Sequence, residues 1–204
     1  MTSTTSRRTT GSPARRSWRT VDIVVAAVIA VAFGAVFQAW NLLWNAVQPA
    51  FAAFPPGQGF MYGLWLLPAV LGGFIIRRPG AALFCETVAA LVSVLVGAPW
   101  ATTVILYGIV QGLGAEVVFA ATGYRRWSLP VALTAGALAG VGSAVLDIVL
   151  YYNGWALGWI ALYVALLVVS GAVIAGAGAW ALTKALAPTG VLAPFASGRE
   201  QRAT

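Results

Sequence analysis

The sequence predicts an all-α polytopic membrane bundle of six transmembrane helices with both termini on the cytoplasmic side, and three observations carry that prediction. Its residues are 60% hydrophobic and 8% charged, whereas a soluble domain carries about a quarter of its residues as charges. Apolar runs such as Ile23 to Phe37 and Leu157 to Leu182 belong to stretches of the length a bilayer demands, about 20 residues. The Lys and Arg residues fall between those stretches, not within them. Without period-two alternation the spans read as helices, since only helices and closed barrels satisfy the backbone in lipid. The net charge of +7 does not mark a nucleic-acid binder, because the arginines form short clusters and not a stripe interleaved with stacking aromatics.

Residues 1–20 are rich in Ser, Thr and Arg and contain no acid, a composition that cannot bury a core, and they read as a disordered basic cytoplasmic tail. The apolar run after Asp22 is longer than the 7 to 15 residues of a signal-peptide core, so it reads as a retained first span. The six expected spans of the membrane domain, 21–186, are Val21 to Val47, Gly59 to Ile76, Gly80 to Val96, Thr102 to Ala121, Pro130 to Tyr152 and Gly158 to Leu186. Each break is chemically marked: Pro49, Pro55, Pro56 and Gly57, then Arg77 to Gly80, Gly97 to Pro99, Arg125 and Arg126, and finally Asn153 and Gly154. Residues 187–204 read as a cytoplasmic C-terminal tail. Arg7, Arg8, Arg15, Arg16 and Arg19 precede span one, Arg77 and Arg78 follow span two, Arg125 and Arg126 follow span four, and Lys184, Arg199 and Arg202 lie at or after the end of span six. All twelve basic residues therefore share one side, which the positive-inside rule makes cytoplasmic.

Ionisable groups inside a span are costly and are functional candidates by default. Glu86, Glu116 and Asp147 qualify, and no base lies among the spans to pair with them. They act either as polar glue between helices or with a cation. Gln38, Asn41, Asn45 and Gln48 in the outer half of span one fall within roughly 80° of one another on a helix, so the amides meet either other polar groups or a ligand. Trp40 and Trp44 lie beside that stripe, where interfacial anchoring is the competing role. Ser143, Asp147 and Tyr151 share a face of span five, a candidate cation site. Tyr107 and Gln111 share a face of span four, while Glu116 points about 140° away from Gln111 in an unbroken helix; Gly112 and Gly114 are where a break would realign them.

Small residues recur every four positions: Ala26, Ala30 and Gly34 in span one, Ala132, Gly136, Gly140 and Ala144 in span five, and Gly171, Ala175 and Ala179 in span six. Each admits a closely approaching helix. For spans five and six internal packing is expected; for span one, internal packing and docking of a separate protein stand level. No phosphate-binding loop is present, which removes ATP hydrolysis by that route. With no histidine, Ser-His catalysis and His-based zinc sites are excluded, so no enzyme, metal centre or cofactor is expected. The single cysteine, Cys85, excludes an intramolecular disulfide.

Ile76-Arg77-Arg78-Pro79-Gly80-Ala81-Ala82-Leu83 with Glu86, then Gly97-Ala98-Pro99-Trp100, Gln111-Gly112-Leu113-Gly114-Ala115-Glu116 and Tyr124-Arg125-Arg126-Trp127 together resemble the YkoE family. That family comprises substrate-binding S components of energy-coupling factor (ECF) transporters associated with thiamine and its hydroxymethylpyrimidine precursor. The resemblance runs from about Trp18 to Leu192. It implies a six-helix vitamin-capture subunit working with a transmembrane coupling protein and cytoplasmic ATPases, with docking through small residues of span one, here Ala26, Ala30 and Gly34.

Thiamine joins a permanently cationic thiazolium to an aminopyrimidine, which calls for carboxylates, amides and aromatic faces. The substrate-binding candidates are accordingly Glu86, Gln111, Glu116, Asp147, Tyr151, Asn41, Asn45, Trp40 and Trp100. Depth is a difficulty, because Glu86 and Glu116 fall in the cytoplasmic halves of their spans while Asp147 and the amides lie outward. The rival class is a proton-coupled secondary transporter of a small cationic metabolite using one of the acids as its relay. The topology has a direct test: in a Cys85→Ala background, single cysteines near Gln58 and Asn153 should react with an impermeant reagent from outside and those near Gly123 only from inside. Opposite labelling would invert the map.

Overall fold

A computed structural model describes residues 17–100 and 102–201, and what is expected of residues 1–16 lies outside them. The described residues are mostly helical, with no strand among them. The helices are α1 (Thr20–Val47), α2 (Leu67–Ile76), α3 (Ala81–Leu95), α4 (Thr103–Ala121), α5 (Leu129–Leu150), α6 (Leu157–Ser170), α7 (Gly178–Leu186) and a short α8 (Ala196–Gln201). Five helical stretches are long and apolar enough to cross a membrane: Thr20–Ala53, Pro55–Ile76, Thr103–Ala121, Leu129–Leu150 and Leu157–Leu186. Ala81–Leu95 is apolar but shorter.

The second span is not the continuous α-helix expected between Gly59 and Ile76. It opens as 3₁₀-helix over Pro55–Leu64, turns at Trp65 and Leu66, and continues as α2. Pro55 and Pro56 start the tight segment and Pro68 removes a backbone donor at the start of α2. Glycines let the segment press onto α6: a Cβ at Gly59 would meet the Tyr163 carbonyl at 2.8 Å, and one at Gly63 the Ser170 carbonyl at 2.6 Å. Because a 3₁₀-helix rises about 2.0 Å per residue and an α-helix about 1.5 Å, this composite reaches the length of a hydrocarbon core, about 30 Å, with few residues. All ten residues of α2 are buried, which makes it the axis of the bundle.

Close approach by small residues assembles the other helices around α2. The Gly136 and Gly171 backbones meet face to face, and a Cβ at Gly176 would fall 2.6 Å from the Ala132 carbonyl. Those contacts join α5 to the last span, whose middle, Gly171–Ala177, is π-helical instead of the unbroken α-helix expected. Gly112 and Gly114 do not break α4, which is continuous; they are contact points, with a Cβ falling 2.8 Å from Cα of Leu83 and of Ala139 respectively. The stripe Ala26, Ala30 and Gly34 is another such contact. Ala26 and Ala30 are 0% exposed, and a Cβ at Gly34 would run into Val92 of α3. The stripe packs on α3.

Five described basic residues, Arg19, Arg77, Arg78, Arg125 and Arg126, lie at one end of the bundle, hereafter the basic end, where the α2–α3 and α4–α5 connections, the start of α1 and the C-terminal segment gather. Lys184 is in the last turn of α7. Buried Asp22 pairs with Arg19 at 2.7 Å and Arg78 at 3.3 Å, and Trp18 donates to the Pro79 carbonyl. The described part of the expected C-terminal tail folds back: Leu192 and Phe195 enter the core and Ser197 donates to the Ile75 carbonyl. A direct check of the close packing is Gly136→Leu, which should cost at least about 1–3 kcal/mol by overpacking against backbone and lower the detergent-state melting temperature. Gly154→Ala, where nothing lies within 4 Å, should leave it unchanged.

Candidate ligand-binding site

Opposite the basic end, α1, α3, α4 and α5 enclose a cavity of about 280 Å³ with the 3₁₀ segment against its side. Helical spacing delivers its walls. Phe37, Asn41, Trp44 and Gln48 descend one face of α1; Ala90 and Ser93 come from α3; Val104, Tyr107 and Gln111 come from α4. Asp147, Tyr151 and Tyr152 close it from the end of α5, and Trp100 from the α3–α4 connection. The 3₁₀ turn adds Gln58 and Tyr62, with Trp65 one turn further on.

Asp147 is its only acidic lining residue. It is 1% exposed and accepts three phenolic hydroxyls: Tyr62 at 2.8 Å and Tyr107 at 2.6 Å on Oδ1, and Tyr163 at 2.6 Å on Oδ2. Three such bonds fix the position of this carboxyl group. No arginine or lysine forms an ion pair with it among the described residues. A cation entering the cavity would therefore meet this acid without displacing a basic side chain.

Beside it stands an aromatic wall. Ring centroids of Trp44 and Trp65 lie 5.5 Å apart, those of Trp65 and Trp100 5.9 Å, and those of Tyr62 and Trp65 5.4 Å, all edge to face. Such faces hold cations and planar rings alike. The amides are fixed by their neighbours: Trp65 donates to Asn41 Oδ1 at 3.0 Å, Asn41 Nδ2 donates to Ser93 at 3.4 Å, and Gln111 Nε2 donates to Ser143 at 2.9 Å.

Of the residues singled out from the sequence, Asn41, Trp100, Gln111, Asp147 and Tyr151 line this cavity and Asn45, Trp40, Glu86 and Glu116 do not. Asn45 is exposed, near the edge of the face that carries Asn41. Trp40 donates to the Met61 carbonyl at 3.0 Å and so anchors the 3₁₀ segment. Glu86 is buried below the cavity, where Oε2 accepts the Ala69 amide at 2.8 Å near the start of α2; Oε1 has no partner. Glu116 faces the basic end and caps α3, accepting the amides of Gly80 at 2.6 Å, Ala82 at 3.0 Å and Leu83 at 3.4 Å and the Tyr124 hydroxyl at 2.7 Å. The depth difficulty is thereby explained, since the three acids occupy three levels. Sequence reasoning missed Gln58, Tyr62, Trp65, Ser93 and Tyr163. The spacing of Gln58, Tyr62 and Trp65 is also that of one α-helical face, so it gave no signal of the 3₁₀ segment.

Residues 21–142 match the family model of the permease component of an ABC-type cobalt transport system. The Bacillus subtilis (strain 168) protein YkoE, named as an HMP/thiamine permease, is 39% identical over 188 residues, covering 91% of this chain and 92% of that protein. A crystal structure of an S component of an ECF transporter superposes with a TM-score of 0.86 at 38% identity, covering 91% of this chain and 94% of the other. Near-complete coverage of sequence and fold by these relatives, together with the multi-pass helical architecture, places the protein in the cell membrane: it belongs to the YkoE family of ECF transporter S components.

Proposed function

We propose that this chain crosses the bilayer six times with both termini inside, captures thiamine or hydroxymethylpyrimidine from outside, and passes it on with a transmembrane coupling protein and ATPase subunits. The observation that carries the reading is the juxtaposition of the Asp147 carboxylate, held by three tyrosines, with the Trp44, Trp65 and Trp100 wall. A molecule that joins a cation to a flat, hydrogen-bonding ring needs that pair of surfaces. A volume of about 280 Å³ suits a small ligand, at the lower end of the about 300–1,000 Å³ usual for binding sites. Trp100 and Tyr151 border the space where the ring would stack, while Asn41 and Gln111 offer polar edges to a pyrimidine.

Alpha-helix α3 is the sixth crossing in this reading. Its fifteen residues reach about 22 Å, and a short span is accommodated by local thinning of the bilayer at modest cost. The positive-inside rule puts the basic end in the cytoplasm, so the cavity lies toward the outer leaflet. The cobalt in the matching family description suits this donor set poorly. The sequence has no histidine, and no three His, Cys, Asp or Glu side chains cluster among the described residues. An organic cation needs only one carboxylate and aromatic faces.

Calorimetry in detergent tests the reading. Thiamine should bind, and Asp147→Asn should lose more than about tenfold in affinity, since truncating one partner of a buried charge pair costs about 2–5 kcal/mol. Neutral hydroxymethylpyrimidine should lose less. Glu116→Gln should lower thermal stability by weakening the cap of α3 while sparing affinity. Unchanged thiamine binding by Asp147→Asn would remove Asp147 from the site, and pH-gradient-driven uptake by the chain alone in proteoliposomes would establish the proton-coupled alternative.

A further inference from the structure

Alpha-helices α4 and α5 are in tight contact through the middle of the bundle and part toward the basic end. A Cβ at Gly142 would meet Val110 at 2.7 Å and one at Gly114 would meet Ala139 at 2.8 Å. Below that closure the helices leave an open groove between Val117, Val118, Ala121 and Thr122 of α4 and its connection, and Pro130, Val131, Thr134 and Leu138 of α5. Its two hydroxyls are already spent, Thr122 donating to the Phe119 carbonyl at 2.9 Å and Thr134 to the Pro130 carbonyl at 2.8 Å. The walls are therefore apolar in effect. From Pro130 to Leu138 the groove extends about 12 Å along α5, a length suited to much of one acyl chain.

Charge at its mouth specifies the headgroup. Arg125 and Arg126 lie in the connection between the rim residues Thr122 and Pro130, and both are exposed. They differ from the other arginine pair at this end. Arg77 lies over the Trp127 ring at 5.1 Å and Arg78 pairs with Asp22, whereas the side chains of Arg125 and Arg126 bond to nothing among the described residues. The nearest acid along α4, Glu116, is occupied in capping α3. Two exposed arginines on the connection that joins the walls of an apolar groove match a phosphate attached to a hydrocarbon chain.

We propose that the α4–α5 groove is a specific binding site for an anionic phospholipid, its acyl chain lying along Val117, Val131 and Leu138 and its phosphate held by Arg125 and Arg126. The site stands apart from the vitamin cavity and does not depend on what the cavity binds. Lipid binding there would brace the splayed ends of α4 and α5, so headgroup composition would tune the stability of the helix pair that carries Tyr107, Gln111 and Asp147.

Native mass spectrometry of the detergent-solubilised chain, titrated with dioleoylphosphatidylglycerol or dioleoylphosphatidylcholine, reads the proposal directly. The anionic lipid should be retained in preference to the zwitterionic one. Arg125→Gln with Arg126→Gln should reduce that retention about tenfold or more, on the scale of roughly 1 kcal/mol for each basic residue facing an anionic lipid. Thr134→Trp, at an exposed groove position, should reduce it as well, and a large excess of inorganic phosphate should compete poorly because it lacks the chain. An unchanged far-ultraviolet circular dichroism spectrum checks that each variant is folded. Equal retention of both lipids, or unchanged retention in the arginine double variant, overturns the site. So does a Thr134→Trp chain that keeps its lipid but no longer associates with the coupling protein, since that result makes the groove a protein-docking surface.

Discussion

A helix that stops inside a bilayer leaves backbone donors with no water to satisfy them, and the second span of this protein stops at Trp65 and Leu66. Everything specific about the fold depends on that interruption being tolerated. Glu86 meets the need by accepting the Ala69 amide from a position buried in α3, where the positive end of a helix dipole favours a carboxylate. Pro68 at the start of α2 reduces the need further by having no N–H to satisfy. With the break secured, the preceding 3₁₀ turn is free to project Gln58, Tyr62 and Trp65 inward. Tyr62 and Trp65, three residues apart, are nearly eclipsed in that geometry.

Small residues supply the complementary half of the arrangement. In lipid no hydrophobic force separates helix from solvent, so close van der Waals contact is the principal attraction available. Gly136 against Gly171, Gly114 against Ala139 and Gly34 against Val92 bring backbones together near the middle and the basic end. At the opposite end larger side chains, Trp44, Trp65, Trp100 and the tyrosines around Asp147, stand between the helices. The cavity lies among those rings.

Much of this was legible in the sequence, and the remainder was hidden for definable reasons. Span limits fell close to the observed helix ends because Pro, Gly and Arg-Arg boundaries act locally. The pairing of Ser143, Asp147 and Tyr151 on one face, and of Tyr107 with Gln111, follows from helical periodicity; the structure then joins the two faces through the bonds of Tyr107 to Asp147 and Gln111 to Ser143. What periodicity could not disclose was the direction each face takes. Ala26, Ala30 and Gly34 form an equally good stripe for a neighbour within the chain or outside it, and only the tertiary arrangement shows α3 there. The 3₁₀ and π segments were concealed because both replace α-helix without altering hydropathy.

The three acids show why residue type alone cannot assign a role in a membrane. Glu116, with three backbone amides and one phenol converging on it, is saturated by its own chain and has little left to offer a ligand. Glu86 has a single backbone donor and an Oε1 without partner, yet it lines no part of the cavity. Asp147 alone combines full burial with an opening onto an occupied-sized space, and its donors are hydroxyls, which are neutral and able to rotate. Amides in a helix terminus are fixed in direction, so a carboxylate bonded to them is committed to a cap. Phenols can retain one bond to the carboxylate while a cation approaches, and Tyr62 and Tyr107 both bond Oδ1 and line the same cavity. The carboxyl groups of this bundle therefore differ in the kind of donor that surrounds them, backbone amides at Glu116 and phenols at Asp147.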